Sequence, residues 1–134
     1  MSEHFIIIGA GQAACQAAAS LRSEGFSGRL TLIGDELQPP YQRPPLSKKY
    51  LSAEISSDRL YLKPPAFYAK NEIELMLGVR AEKVDPSSKT VALSSGTVLS
   101  YQKLLFATGS SPRRLAIPGA DLEEIGRASC RERV

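Results

Sequence analysis

Apolar residues fall along the chain in short blocks whose spacing changes from one block to the next. His4 to Ile8 is β-branched and apolar without alternation, the pattern of a strand buried on both faces of a parallel sheet. Gly9-Ala10-Gly11 breaks that run. From Gln12 to Glu24 the apolar positions Ala13, Ala14, Ala17, Ala18 and Leu21 recur at helical spacing, and Gly25 stands where a left-handed helix cap belongs. Leu30 to Ile33 predicts a second short strand, ended by Gly34. The segment from His4 to Glu36 therefore has the order and length of one βαβ unit.

Between Glu36 and Ser47 the prolines Pro39, Pro40, Pro44 and Pro45 exclude a helix interior and a central strand, which predicts a stiff extended loop. Ser47 is placed to cap a short helix through Leu51, and Pro64-Pro65 to open another from Ala66 to Lys70. Ile73, Leu75 and Leu77 then alternate with Glu72, Glu74 and Met76, as in a strand that leads into a β-meander. The meander strands are Ala81 to Asp85, Thr90 to Leu93 and Val98 to Tyr101, separated by the turn sequences Pro86-Ser87-Ser88 and Ser94-Ser95-Gly96. Lys103 to Ala107 is a further apolar strand running into Thr108-Gly109. This order predicts an α/β fold built on a parallel sheet with a β-meander.

Composition narrows the class of function. A chain of 134 residues, 43% hydrophobic and 23% charged, is expected to form an ordinary globular domain with one core. The net charge of +3 is scattered, too weak a signal for nucleic-acid binding. Near the start the longest apolar run, Phe5 to Ile8, is far short of a membrane span or a signal-peptide core, so no membrane association and a cytoplasmic location are expected. Cys15 and Cys130 form no Cys-x-x-Cys pair, so neither a redox dithiol nor a metal site is expected.

The chemistry concentrates at the ends of the predicted strands. Gly9-x-Gly11-x-x-Ala14 follows a strand and opens a helix, the context of a dinucleotide fingerprint. Gly9 allows the tight turn, and Gly11 lets a pyrophosphate approach the backbone. The free amides and dipole around Gln12 and Ala13 would attract that anion, and Ala14 replaces a third glycine with little bulk. An incidental glycine-rich turn is the competing reading. Asp35 and Glu36 lie about 25 residues further on, near the distance at which a carboxylate accepts hydrogen bonds from an adenosine ribose; Asp35 sits at the strand tip, while Glu36 could equally be a solvated loop charge. A carboxylate there repels a 2′-phosphate and favours FAD or NAD over NADP. In Arg43-Pro44-Pro45-Leu46-Ser47-Lys48, the prolines stiffen a loop whose two cations could reach a pyrophosphate or a flavin ring, although such loops are more often plain surface or peptide ligands. Thr108-Gly109 either lines a cofactor cleft or simply ends a strand.

Taken together, Ile8-Gly9-Ala10-Gly11-Gln12-Ala13, Ile33-Gly34-Asp35-Glu36, Tyr41 to Lys48, Leu60-Tyr61-Leu62 and Ala107-Thr108-Gly109 resemble, in order and spacing, the N-terminal part of the FAD-dependent ferredoxin and rubredoxin reductases. The Arg-Pro-Pro-Leu-Ser-Lys stretch is the most specific piece. The resemblance implies an incomplete Rossmann-like FAD-binding domain. It further implies an oxidoreductase that, when complete, takes hydride from NAD(P)H onto FAD and passes electrons to a small iron-sulfur carrier, a ferredoxin or rubredoxin, without a redox disulfide. By the same resemblance Ala13 lies on the pyrophosphate, Asp35 on the adenosine ribose, Lys48 near the flavin and the backbone of Ala81 against adenine, with Thr108 and Gly109 lining the cleft and Glu36 and Arg43 as weaker candidates. His4 and Cys15 are expected to be packing residues.

The resemblance extends from Met1 to about Leu122. Relatives of this kind are about three times as long and carry a second glycine-rich βαβ unit for NAD(P)H, so the chain alone is expected to be inactive and no catalytic residue is assigned. Glu124 to Val134 departs from the family pattern and can be back-translated to a DNA stretch that looks like a widely used sequencing adapter. The expected organisation is thus a partial FAD/NAD(P)-binding domain over 1–123 and a non-native tail over 124–134. Two other readings remain open at this point, a non-enzymatic fragment and the NAD-binding domain of a dehydrogenase.

Overall fold

Ile6, Ile7 and Ile8 are all buried, because the strand that contains them is covered on both of its faces. A computed structural model describes residues 3–111, 113 and 116–120. The chain divides into two units, Met1–Tyr41 with Tyr61–Gly109, and Gln42–Leu60 with Ser110–Val134. In the first unit the elements run β1 (His4–Ile8), α1 (Gln12–Ser23), β2 (Arg29–Gly34), α2 (Pro65–Lys70), β3 (Ile73–Leu77), β4 (Ala81–Asp85), β5 (Thr90–Leu93), β6 (Val98–Ser100) and β7 (Lys103–Phe106). β3, β2, β1 and β7 form a parallel sheet in that order, and β4, β5 and β6 form an antiparallel meander. The α/β fold with a parallel sheet and a meander is the one the hydrophobic pattern predicts.

Alternate residues of β1 enter different cores. Ile7 packs with Leu30, Leu32, Ala14, Cys15 and Ala18 on the helical side, where the small residues of α1 let the helix lie close to the sheet. Ile6 and Ile8 face the other way, with Ile33 and the meander residues Val91 and Leu93. Each fully buried aliphatic side chain of this kind contributes about 1.5–3 kcal/mol. A strand with two buried faces has no place for polar alternation, which is why β1 reads as one apolar run.

α1 stops in a Schellman arrangement. Gly25 has φ +88°, the Gly25 amide donates to the Arg22 carbonyl at 3.2 Å, and the Phe26 amide reaches back to Leu21 at 3.0 Å. Phe26 then stacks on Phe5 of β1, with ring centroids 4.0 Å apart, and so locks the helix end to the sheet.

His4 does more than pack. Its Nε2 lies 2.9 Å from the Thr31 hydroxyl, which in turn donates to Glu74 at 2.8 Å, while Arg29 pairs with the same carboxylate at 2.9 Å. These bonds join β1, β2 and β3 at the amino ends of the strands. Burial, then the Arg29 charge, pushes the imidazole below its ordinary value. Burial acts to raise the Glu74 carboxyl, but the bonds from Thr31 and Arg29 more than offset it and hold the group low. Cys15 is a core residue as expected, with its thiol 3.3 Å from the Tyr68 hydroxyl. Burial, followed by that thiol, drives the Tyr68 phenol well above its usual range.

Two expectations about the proline-rich segment are corrected. Pro44–Ser47 is a 3-10 turn rather than an extended stretch, because Pro44 and Pro45 fall at its first positions, where no amide donor is required. Ser47 therefore ends a turn instead of capping a helix through Leu51; the backbone continues in further turns, with the Tyr50 amide on the Pro45 carbonyl and the Ser52 amide on Lys48, each at 3.0 Å. A second 3-10 turn, Ser57–Leu60, carries no signal that the hydrophobic pattern reveals.

Candidate functional site

In the parallel sheet the chain leaves β1 towards β2 on one side, while β7 pairs on the other. The carboxyl end of β1 is thus a topological switch point, where open α/β sheets bind ligands. The Gly9 amide donates to the Ile33 carbonyl and the Ala107 amide to the Ile8 carbonyl, each at 2.7 Å, so the ends of β2 and β7 are tied to the turn that follows β1.

The glycines of the fingerprint have different tasks. Gly9 has φ +121°, and a Cβ there would collide with the carbonyl of Ala107; its absence lets the Ala107-Thr108 backbone lie against the turn. Gly34 does similar work on the other side, since a Cβ would stand 2.5 Å from that of Ala10. Gly11 meets nothing within 4 Å where its Cβ would be, so the packing of the chain does not require glycine there. It is the extended N-cap of α1, with φ −94° and ψ −165° and no side-chain cap. The first helical bond is from the Cys15 amide to the Gly11 carbonyl, at 3.0 Å, which leaves the amides of Gln12, Ala13 and Ala14 without intrahelical acceptors. No acidic residue lies in the first turn to occupy them. Open space over Gly11, unclaimed amides and the positive end of a helix dipole make a fitting cradle for a diphosphate. Ala14 is wholly buried in the helical-side core, so its methyl group does not enter that space.

Asp35 and Glu36 separate cleanly. Glu36 is half-buried and accepts the Tyr41 hydroxyl at 2.6 Å, while its carbonyl accepts the Gly78 amide at 3.0 Å. Asp35 is exposed at the tip of β2, with one oxygen 3.3 Å from the Arg80 guanidinium. Of the two carboxylates, Asp35 is the more exposed. Arg80 is the residue that sequence reasoning missed: it is remote in the chain, and only the pairing of β2 with β3 brings it to Asp35. Ala81 follows it as the first residue of β4, half-buried opposite Leu93. Thr108 and Gly109 are exposed just beyond β7, with Gly109 at φ +70°.

The first unit thus holds Gly9, Gly11, Ala13, Asp35, Glu36, Ala81, Thr108 and Gly109. Arg43 and Lys48 belong to the second unit, where both are exposed and flank the 3-10 turn; the Arg43 carbonyl accepts the Leu46 amide and the Lys48 amide donates to Pro45, each at 3.0 Å. That unit also contains an open hollow of about 560 Å³ lined by Leu46, Tyr50, Leu51 and Ile55, with Glu54 as its charged lining residue among the described residues. An apolar wall with a carboxylate does not suit a phosphate. Among the described residues no group of three or more His, Cys, Asp or Glu side chains could hold a metal ion.

A family model described as pyridine nucleotide-disulphide oxidoreductase matches residues 3–132. Rhodocoxin reductase of Rhodococcus erythropolis is 45% identical over 120 residues, which cover 90% of this chain and 28% of that protein. Rubredoxin-NAD(+) reductase of Pseudomonas putida is 41% identical over 120 residues, 90% of this chain and 31% of the relative. Among solved structures, a chain of the covalent putidaredoxin reductase–putidaredoxin complex superposes with a TM-score of 0.81 at 36% identity, over 87% of this chain and 28% of its own length. The chain thus spans under a third of the length of these relatives.

Proposed function

The chain belongs to the pyridine nucleotide-disulphide oxidoreductase family, and from that premise we propose that it is the N-terminal FAD-binding segment of an NAD(P)H-dependent reductase whose electrons go to a ferredoxin- or rubredoxin-type iron-sulfur protein. The observation that carries the reading is the uncapped start of α1 beneath the open space at Gly11, at the sheet's switch point. When bound, the flavin supplies the capacity to accept a hydride and to give electrons up singly. The residues of this chain bind and orient it. The amides of Gln12 and Ala13 face the pyrophosphate, Asp35 accepts from the adenosine ribose, the Ala81 backbone lies by adenine, and Thr108 and Gly109 border the cleft. Lys48 and, more weakly, Arg43 are assigned to the flavin side of the cofactor. The iron-sulfur partner is supported by the names of the relatives, two of which are a rubredoxin reductase and a putidaredoxin reductase seen with its putidaredoxin. Among the described residues no helix is long and apolar enough to cross a membrane; a cytoplasmic location is part of the same proposal.

This reading separates binding from turnover. The purified chain is expected to bind FAD yet to reduce no iron-sulfur acceptor from NADH above a free-FAD control, because it spans less than a third of its relatives' length. Equilibrium dialysis against FAD and an acceptor-reduction assay provide the check. Failure to bind FAD would overturn the cofactor assignment, and turnover by this chain would overturn the division of labour.

The segment 124–134, which lies outside the described residues, is proposed to be a non-native tail. Sequencing the genomic locus is expected to show an open frame that departs from this sequence after Glu123 and runs on into a second glycine fingerprint. A native stop codon directly after Val134 would refute it.

A further inference from the structure

We infer that Arg80 is a positioning residue for nucleotide binding, holding the Asp35 carboxylate at the tip of β2 and offsetting the negative charge that an adenosine diphosphate group would otherwise meet there. The inference rests on the assignment of Asp35 to the ribose. Its starting point is a charge problem. Asp35 and Glu36 put two adjacent carboxylates beside a site that is to receive a diphosphate, and like charges at such distances weaken binding even in partly screened surroundings. Glu36 is engaged by the Tyr41 hydroxyl, while Asp35 has the Arg80 guanidinium at 3.3 Å.

The backbone around this pair is held more firmly than an incidental surface contact needs. The Val79 amide donates to the Gly34 carbonyl at 3.1 Å, which fixes the approach of Arg80 to the residue before Asp35. Arg80 itself is clasped by Ser94 on both sides: its amide donates to the Ser94 hydroxyl at 3.0 Å, and its carbonyl accepts the Ser94 amide at 2.8 Å. Both charged side chains are nonetheless more than half exposed, 73% for Arg80 and 56% for Asp35, so the pair adds little to stability. A prearranged, solvent-facing ion pair at the tip of β2 is suited to a ligand rather than to the core. The guanidinium limits the directions open to the carboxylate, so less freedom is lost when ribose hydroxyls bind, and its charge reduces the repulsion felt by the phosphates.

The test is calorimetric titration of ADP into the 134-residue chain at low and at high salt, with wild type, Arg80→Gln, Arg80→Lys, Asp35→Asn and the double variant Arg80→Gln/Asp35→Asn. Circular dichroism and thermal unfolding establish that each variant keeps the wild-type fold. Arg80→Gln is expected to weaken ADP binding roughly fivefold at low salt and by less at high salt, and Arg80→Lys to recover most of the loss, because the magnitude is that of a screened charge. In the Asp35→Asn background the same change at Arg80 is expected to do clearly less, since the carboxylate it serves is gone. An equal loss in both backgrounds, or no loss in either, would overturn the positioning role while leaving the nucleotide site intact. If wild type itself binds no ADP, the functional proposal fails and this inference falls with it.

Discussion

Gly9→Ala is expected to destabilise the first unit by about 3 kcal/mol or more, enough to leave a chain of ordinary stability partly unfolded. Two costs add. An alanine at φ +121° occupies backbone space that L-residues avoid, worth about 1–3 kcal/mol. Its methyl group must also displace the Ala107 carbonyl, and overpacking of that kind costs about 1–3 kcal/mol more. Relaxation is difficult, because the Ala107 amide donates a hydrogen bond to the Ile8 carbonyl and the Gly9 amide donates one to the Ile33 carbonyl. The control is Gly109→Ala, where φ is +70° but the space is open, so only backbone strain is incurred. Urea unfolding followed by far-UV circular dichroism compares the two, as the chain has no tryptophan. Equal losses for both variants would mean that the close passage of β7's exit past the fingerprint turn is not what Gly9 secures.

Gly11→Val is expected to have the opposite character, a fold kept and a ligand lost. Its Cβ meets nothing in the protein, and φ −94° with ψ −165° is backbone that any residue adopts, so the expected cost to stability is only the poorer helix cap, about 1 kcal/mol. The valine side chain does fill the space in front of the Gln12 and Ala13 amides, where a pyrophosphate has to approach. FAD affinity should fall at least about tenfold, the equivalent of 1.4 kcal/mol. Lys48→Ala is expected to cost less, because Lys48 is an exposed ammonium whose charge is screened by solvent. Quenching of flavin fluorescence ranks the two, once circular dichroism has shown that both are folded. A larger loss from Lys48→Ala would place the main hold on the cofactor in the proline-rich segment instead of the fingerprint.

The contrast between these two glycines shows how far a sequence motif can be read. The pattern Gly9-x-Gly11-x-x-Ala14 announces a turn, a helix start and an anion site, since those follow from neighbouring residues and from backbone chemistry alone. It does not say which of the two glycines the packing requires. That depends on Ala107, nearly a hundred residues away, reaching the turn through β7. The sequence likewise favours Asp35 over Glu36 only by its place at the strand tip, without showing what holds either carboxylate. Tyr41 and Arg80 tell them apart, and they reach the tip of β2 by different routes: Tyr41 by the short return of the proline segment, Arg80 by the passage out of β3 into β4.

Local order in this protein was written in the amino-acid sequence. The apolar runs of β1 and β2, the small-residue face of α1, the Gly25 cap, the alternation of β3 and the turns of the meander each depend on residues within one element and its flanks, where propensity and periodicity act directly. The 3-10 turn at Pro44–Ser47 escaped that reading because proline forbids a helix interior while favouring a helix start, and the pattern alone does not say which rule applies. Tertiary structure alone decided what crosses the sheet: β7 beside β1, the meander over Ile6 and Ile8, the His4–Thr31–Glu74 chain, and Arg80 upon Asp35. Parallel pairing joins strands far apart in sequence, so the contacts that make Gly9 necessary to the packing and Gly11 not, or that give Asp35 its Arg80 partner, have no local signature.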